Sequence, residues 1–249
     1  MDSRNCIGMH VGSMAHSEES LCVDAVQSGR RSVLLSGSNR CMDINEKGTR
    51  SSMAGQFTIR DAHTGELCED FSALHAGDEC VLSGEIFTIR DATVKLLVDE
   101  LRENGRLPYG LEGALLFHAG PTPPRAGRPV GSIGPTTAKR MDAASVELMD
   151  AGIAAYFGKA SRSDDFTQAC GRNGAVYFGA VGGVAALYAQ HVTSAQTVAY
   201  DELGTEALIR LSVEDMPVFV ATDTQGVDWY KEAPRRFLAL QTGQDGRDG

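Results

Sequence analysis

From Glu79 onward the apolar positions fall in short blocks whose spacing alternates between strand-like and helix-like, which predicts a mixed chain of strands and helices. Residues 80–89 read as a strand-rich stretch interrupted at Gly84. Asp91 can cap a helix that places Val94, Leu97, Val98 and Leu101 on one face and stops at Gly105. Residues 114–118 are a short strand candidate, and 119–131 form a Pro/Gly loop. A second helix is expected from Thr136 or Thr137 to Gly152, burying Met141 and Leu148. Residues 153–157 then read as a buried strand.

Ser163 or Asp164 can start a third helix, ended by Gly174, with a strand at 176–178. Gly182-Gly183 is expected to open an apolar helix over 184–192. Two late strands are expected at 208–213 and 218–222, separated by Met216-Pro217, and after Pro234 the chain turns into a polar tail, residues 236–249. The alternation indicates an α/β domain. Residues 1–52 differ: they are rich in Ser, Arg, Asn and Gly, with one apolar stretch at Val33-Leu34-Leu35. They are expected to be poorly ordered or to reflect a misplaced start, with the domain running over 53–235 from Met53. The hexapeptide Phe-Thr-Ile-Arg-Asp-Ala occurs at 57–62 and again at 87–92. Only the second copy sits between a strand candidate and a strongly amphipathic helix, so a functional arginine is expected at Arg90 rather than Arg60.

Composition narrows the function. A formal net charge of -10 disfavours nucleic acid and anionic membranes as partners, but leaves room for a small anion in a local basic pocket. There is no run long enough for a transmembrane helix and no signal-peptide core, so the expected location is the cytoplasm. Six cysteines, at 6, 22, 41, 68, 80 and 170, contain no CxxC pair. No metal site is expected on this chain, and any iron–sulfur cluster it uses is expected on another chain.

The stretch Gly131-Ser-Ile-Gly-Pro-Thr-Thr-Ala-Lys-Arg-Met-Asp142 carries the most chemistry. If a helix starts at Thr136, its free N–H groups form an anion site, and Thr136 and Arg140 share a face beside it. The competing reading makes a threonine a plain N-cap and Arg140 a solvated side chain. Gly158-Lys159-Ala160 lacks the spacing and the hydroxyl of a phosphate loop, although a lysine just past a strand end can hold a carboxylate. Gly179-Ala-Val-Gly-Gly183 can line a cavity or close a turn. His118 and His191 have no metal-ligand spacing, and no GxSxG elbow exists.

In order along the chain, Leu82-Ser-Gly-Glu-Ile-Phe-Thr-Ile-Arg-Asp-Ala92, Phe117-His-Ala-Gly-Pro121, Gly134-Pro-Thr-Thr-Ala-Lys-Arg-Met-Asp142, Gly158-Lys159, Val176-Tyr-Phe-Gly-Ala-Val-Gly-Gly-Val-Ala-Ala186, Glu202-Leu-Gly204 and Val213-Glu-Asp215 closely resemble the C-terminal domain, or separate beta subunit, of iron–sulfur (class I) fumarases and tartrate dehydratases. The resemblance spans about residues 75–232. It implies a swivelling three-layer β/β/α domain that closes on a partner alpha subunit carrying a 4Fe-4S cluster, making a hetero-oligomeric hydro-lyase for a small dicarboxylate. It implies Thr136 as the base, Arg90 as the charge that stabilises its alkoxide, and Arg140 and Lys159 as carboxylate-binding residues. The implied reaction is hydration of fumarate to L-malate. Dehydration of tartrate or another hydroxy-dicarboxylate is the alternative, and a non-catalytic cover for a cluster-bearing subunit is the rival of another class. Gly179–Gly183 is closer to the fumarase pattern than to the tartrate one. Where relatives read Arg-Asp-Ala-Ala-His-Lys, this chain has Arg90-Asp-Ala-Thr-Val-Lys95, with Val94 in place of the histidine.

Overall fold

The computed structural model describes residues 57–244 together with two short strands, β1 (Arg31–Val33) and β2 (Met42–Ile44), which pair antiparallel. Apart from these strands, the expectations for residues 1–52 and for a start at Met53 lie outside the described residues. The main sheet comprises β3 (Phe57–Asp61), β4 (Leu67–Cys68), β5 (Glu79–Ile89), β6 (Leu115–Pro121), β7 (Ile133–Pro135), β8 (Ala155–Lys159), β9 (Val176–Ala180), β10 (Val192–Ala199) and β11 (Leu208–Thr222). Strands β5, β6, β8 and β9 run parallel side by side. The long β11 pairs antiparallel with both β9 and β5, so the pairing path returns on itself and encloses a core. That inner core packs Phe117, Phe157 and Phe178 against Leu211, Met216 and Val220, with Phe57 and Ile59 at its side.

The helices that connect the parallel strands are α1 (Asp91–Asn104), α2 (Asp142–Ala151) and α3 (Asp164–Asn173). All three cover the opposite face of the parallel strands, over a second core that includes Leu97, Leu148, Tyr156 and Phe166. Helices on one side of a parallel sheet are what right-handed strand–helix–strand crossovers produce. The result is the expected α/β domain in three β/β/α layers. α1 matches its expected span, but its cap is Arg90, with no side-chain capping bond, and Asp91 is the first helical residue. Val94, Leu97 and Val98 are buried, Leu101 packs partly beneath, and Gly105 closes the helix in the left-handed conformation. Ser163 caps α3 by accepting from the Phe166 N–H. Among the described residues no helix is long and apolar enough to cross a membrane.

Five further expectations are corrected. Residues 80–89 are one continuous strand through Gly84. The late strands are also one, and its irregularity lies at Glu214-Asp215 rather than at Met216-Pro217. There the Asp215 N–H donates to Ser83 Oγ (2.9 Å) and Asp215 takes a φ of 48°, while Met216 stays fully buried. The helix expected over 184–192 shrinks to α4 (Ala185–Tyr188), and Val192 begins β10, which is held by six-residue pairing with β11 rather than by a buried face. The tail begins as a helix, α5 (Trp229–Gln244), because Arg, Leu, Ala and Gln after Pro234 are good helix formers. The start of α2 is the fifth correction, and it concerns the site.

Candidate functional site

No helix begins at Thr136. The segment before it forms β7 on the end of β6, where Ala119 faces Pro135 and Pro121 faces Ile133. Thr136 continues the extended path, donating its N–H to the His118 carbonyl (2.8 Å) and accepting the Lys159 N–H on its own carbonyl (3.2 Å). Thr137 bridges to Lys159. Only at 139–141 does a 3-10 turn form, and α2 begins at Asp142 with Met141 at its cap. Two inter-strand bonds thus override the turn-then-helix signal, and Thr136 and Arg140 do not share a helix face. The helix-end anion site expected at Thr136 is absent, and neither threonine caps a helix.

A different geometry gathers the same residues. In register, Ile89 of β5 lies beside His118 of β6, and Phe117 of β6 beside Phe157 of β8. The C-terminal ends of these strands therefore line up. Arg90 comes directly after β5, Lys159 ends β8, and Thr136 is stitched between β6 and β8. This edge of a parallel sheet, outside the carboxyl ends of its strands, is where α/β folds bind ligands. Arg140 joins the group through Asp91, the first residue of α1: Nε and Nη2 each donate to the Asp91 carboxylate at 2.6 Å, and Nη1 donates to the Thr137 carbonyl.

Arg90 is one-third exposed, and its Nη1 lies 3.6 Å from Glu206 Oε1, while its Nε is buried with no acceptor. The second Glu206 oxygen accepts the Ala92 N–H at 3.1 Å, which ties the start of α1 to the 201–206 turn. Gly120 is required here by close approach: a Cβ would sit 2.6 Å from the Thr205 carbonyl oxygen and 2.9 Å from Arg90 Cδ. Lys159 has no carboxylate partner within ion-pair reach among the described residues. Ala160, directly after it, holds a φ of 72°, and its carbonyl accepts the Tyr177 hydroxyl at 3.0 Å. A non-glycine residue in that region costs about 1–3 kcal/mol and persists only when its surroundings fix it.

Beneath the edge lies a buried polar group that sequence spacing did not reveal. Arg162 is 3% exposed and donates through Nε to Asp142 at 2.5 Å, while its Nη1 lies 3.3 Å from His118 Nε2 and its guanidinium covers the Phe166 ring at 3.5 Å. Asp142 also accepts the Ser163 N–H at 2.6 Å. Burial first, and the Arg162 charge second, hold the His118 imidazole well below its usual range, so it is neutral. The pair is 20 residues apart in sequence and the histidine is 44 from the arginine, so no local motif marks them. Val94, the departure from the resembled pattern, is buried in the helix-covered core.

The described residues do not fit an iron–sulfur cluster. Of the three cysteines described, Cys68 is partly exposed, whereas Cys80 sits in the inner core and Cys170 on the buried face of α3. Burial pushes the latter two thiols up to about 12, and a ligand must be a thiolate. No three His, Cys, Asp or Glu side chains converge on a metal-sized point among the described residues.

Comparison with known proteins bears on this edge as a whole. The family described as "Fumarase C-terminus" matches residues 39–233, starting ahead of Met53. The anaerobic class I fumarate hydratase of Escherichia coli is 37% identical over 180 residues, which is 70% of this chain and 32% of that protein. The aerobic class I fumarate hydratase of the same organism is 34% identical over 169 residues, 67% of this chain and 31% of that protein. A protein of Methanocaldococcus jannaschii assigned as L(+)-tartrate dehydratase subunit beta is 34% identical over 174 residues, covering 68% of this chain and 89% of that one. This chain therefore spans about a third of the fumarate hydratases it matches and nearly all of the tartrate-type subunit. On these matches, and on the fold that carries Arg90, Thr136, Arg140 and Lys159 to one sheet edge, the chain belongs to the fumarase C-terminus family.

Proposed function

We propose that this chain is the beta subunit of a two-chain hydro-lyase that interconverts fumarate and L-malate, and that it works in the cytoplasm with a cluster-bearing alpha subunit. The observation that carries the proposal is the gathering of three cationic side chains and one threonine at the carboxyl ends of β5, β6 and β8. A 4Fe-4S cluster belongs to the partner in this reading, because the cysteines of this chain have no cluster-ligand spacing and no three ligand side chains converge among the described residues; there it supplies Lewis-acid chemistry at the substrate.

The work of this chain is to bind, orient and move a proton. Arg140 and Lys159 take the two carboxylates of the substrate. Thr136 Oγ then takes the proton from the carbon next to one carboxylate in the direction of fumarate. A threonine hydroxyl is too weak an acid to serve unaided, and the Arg90 charge at the same sheet edge favours its alkoxide. The ladder bonds on both sides of Thr136 fix the backbone from which the oxygen projects, so little reorganisation accompanies the transfer.

The test is anaerobic co-expression with the alpha subunit and then kinetics. Thr136→Ala is expected to lower turnover by about a hundredfold or more, with KM changed much less. Thr136→Ser retains measurable activity. Thr137→Ala, whose side chain is exposed and caps nothing, stays near the parent. Parent-like turnover in Thr136→Ala would move the base elsewhere.

A second reading has its own support. The relative that this chain nearly spans in full is assigned to tartrate, so tartrate belongs in the substrate panel beside fumarate and malate. A non-catalytic role would leave all of these variants without effect on the complex.

A further inference from the structure

We infer that Asp91 is a positioning residue: it holds Arg140 by one edge of the guanidinium so that the other edge is presented to a substrate carboxylate. This rests on the dicarboxylate reading of the site. A guanidinium carries five N–H donors, one on Nε and two on each terminal nitrogen. In Arg140 the Nε donor and one Nη2 donor go to the two Asp91 oxygens at 2.6 Å, and one Nη1 donor goes to the Thr137 carbonyl. What remains is one N–H on each terminal nitrogen, a pair suited to a second carboxylate.

The side edge that Arg140 would otherwise offer is therefore closed to substrate, and a rigid two-pronged end is left in its place. Asp91 is free for this task because Glu206 makes the other contacts at the start of α1, with the Ala92 N–H and with Arg90. The fork also ties the substrate-binding arginine to the helix that begins one residue after Arg90. Two of the site's cations thus share a single rigid support.

Asp91 also strengthens the first turn of α1, and its bridge to Arg140 joins α1 to the start of α2, so a purely structural role must be separated. The molecule contains a matched control. Arg102, near the end of α1, makes the same kind of two-pronged bridge to Glu147, midway along α2, at 2.8 and 2.7 Å, with no hydrogen bond to Arg140. Asp91→Asn is expected to raise the KM for dicarboxylate by about tenfold or more in the assembled enzyme, with kcat falling less than about threefold. Glu147→Gln, with a comparable loss in Tm, should leave both within about twofold. An unchanged KM in Asp91→Asn, or equal KM changes in the two variants, overturns the proposal.

A measurement on the full chain alone makes the outcome independent of activity. In nitrogen-15 spectra the Arg140 Nε–H, identified by its loss in Arg140→Lys, should exchange slowly in the parent and at least about tenfold faster in Asp91→Asn. Equal exchange removes the fork. If the assembled parent acts on neither fumarate, malate nor tartrate, the hydro-lyase reading fails, and the exchange result still decides whether Asp91 holds the guanidinium.

Discussion

The hexapeptide Phe-Thr-Ile-Arg-Asp-Ala folds twice in this chain, and its two copies diverge at the arginine. In both, Phe and Ile are buried in a strand: Phe57 and Ile59 in the inner core, Phe87 and Ile89 in the core beneath the helices. In the first copy the strand runs on to Asp61, whose carboxylate accepts the His63 and Thr64 N–H groups at 2.9 and 2.6 Å and turns the chain into a hairpin. Arg60 is exposed and reaches only the Gly65 carbonyl, at 3.2 Å. In the second copy the strand stops at Ile89, Arg90 sits at the cap of α1 beside Glu206, and Asp91 enters the first helical turn, where negative charge is favoured.

The difference comes from the residues downstream of each copy. His63-Thr-Gly65 offers a turn, whereas Thr93-Val-Lys-Leu-Leu-Val98 offers an apolar helical face. Identical residues thus build an edge hairpin in one place and the corner of a candidate site in the other. A functional arginine is defined by its neighbours rather than by its own short motif.

The largest expected effect separates the two arginines. Arg90→Ala should cut turnover of the assembled enzyme by about a hundredfold or more, the scale for removing one charge that stabilises a reacting group. Arg60→Ala should leave it near the parent. Thermal melting of both variants checks that neither loss is simple unfolding. Equal losses of turnover would mean that position at the sheet edge does not distinguish the copies.

Next in size is a test in which the copies should agree. Ile59 and Ile89 are both fully buried, one in each core. Ile59→Ala and Ile89→Ala should each cost about 2–5 kcal/mol in denaturant unfolding. A much smaller cost at Ile59 would show that the hairpin edge contributes little to the inner core.

The second copy lies beside a buried histidine, since Ile89 is in register with His118. With its folded value held well below the usual 6.5, His118 is neutral in the folded protein and takes a proton only on unfolding. The unfolded state then binds more protons as pH drops below about 6.5, so stability is complete above that value and declines beneath it, by up to about 1.4 kcal/mol per pH unit. Denaturant unfolding at pH 7, 6 and 5 should show this slope, and His118→Gln should remove it. A slope that survives the substitution belongs to another group.

How much of the fold and site is legible in the sequence depends on how local each signal is. α1 is readable because its acidic first turn, its apolar face and its terminating glycine all lie within about fifteen residues of chain. β10 is not, since Thr193 to Thr197 are exposed and carry no alternation; its place is set by β11. The sequence suggests a helix at Thr136 because the partners that keep it extended, His118 and Lys159, are distant along the chain. Local context offers Arg90, Thr136, Arg140 and Lys159 as candidates, the resemblance gives them their roles, and their convergence needs the strand register. Asp91 and Glu206 escape a sequence reading as partners because their contacts with Arg140 and Ala92 span 49 and 114 residues.

The smallest expected effect concerns the glycines that end what each copy starts. Gly65 closes the hairpin after the first copy with a φ of 73°, and Gly105 closes α1 after the second with a φ of 67°. Neither has an atom within 4 Å of where a Cβ would stand, so alanine meets no clash at either position. What remains is the cost of holding a side chain in the left-handed region, about 1–2 kcal/mol. Gly65→Ala and Gly105→Ala should therefore lower stability by similar amounts and leave turnover unchanged. Calorimetric melting paired with steady-state kinetics makes the comparison. If Gly105→Ala lowers turnover while Gly65→Ala does not, the far end of α1 is coupled to Arg90 and Asp91 at its start, and the helix transmits strain to the site rather than merely supporting it.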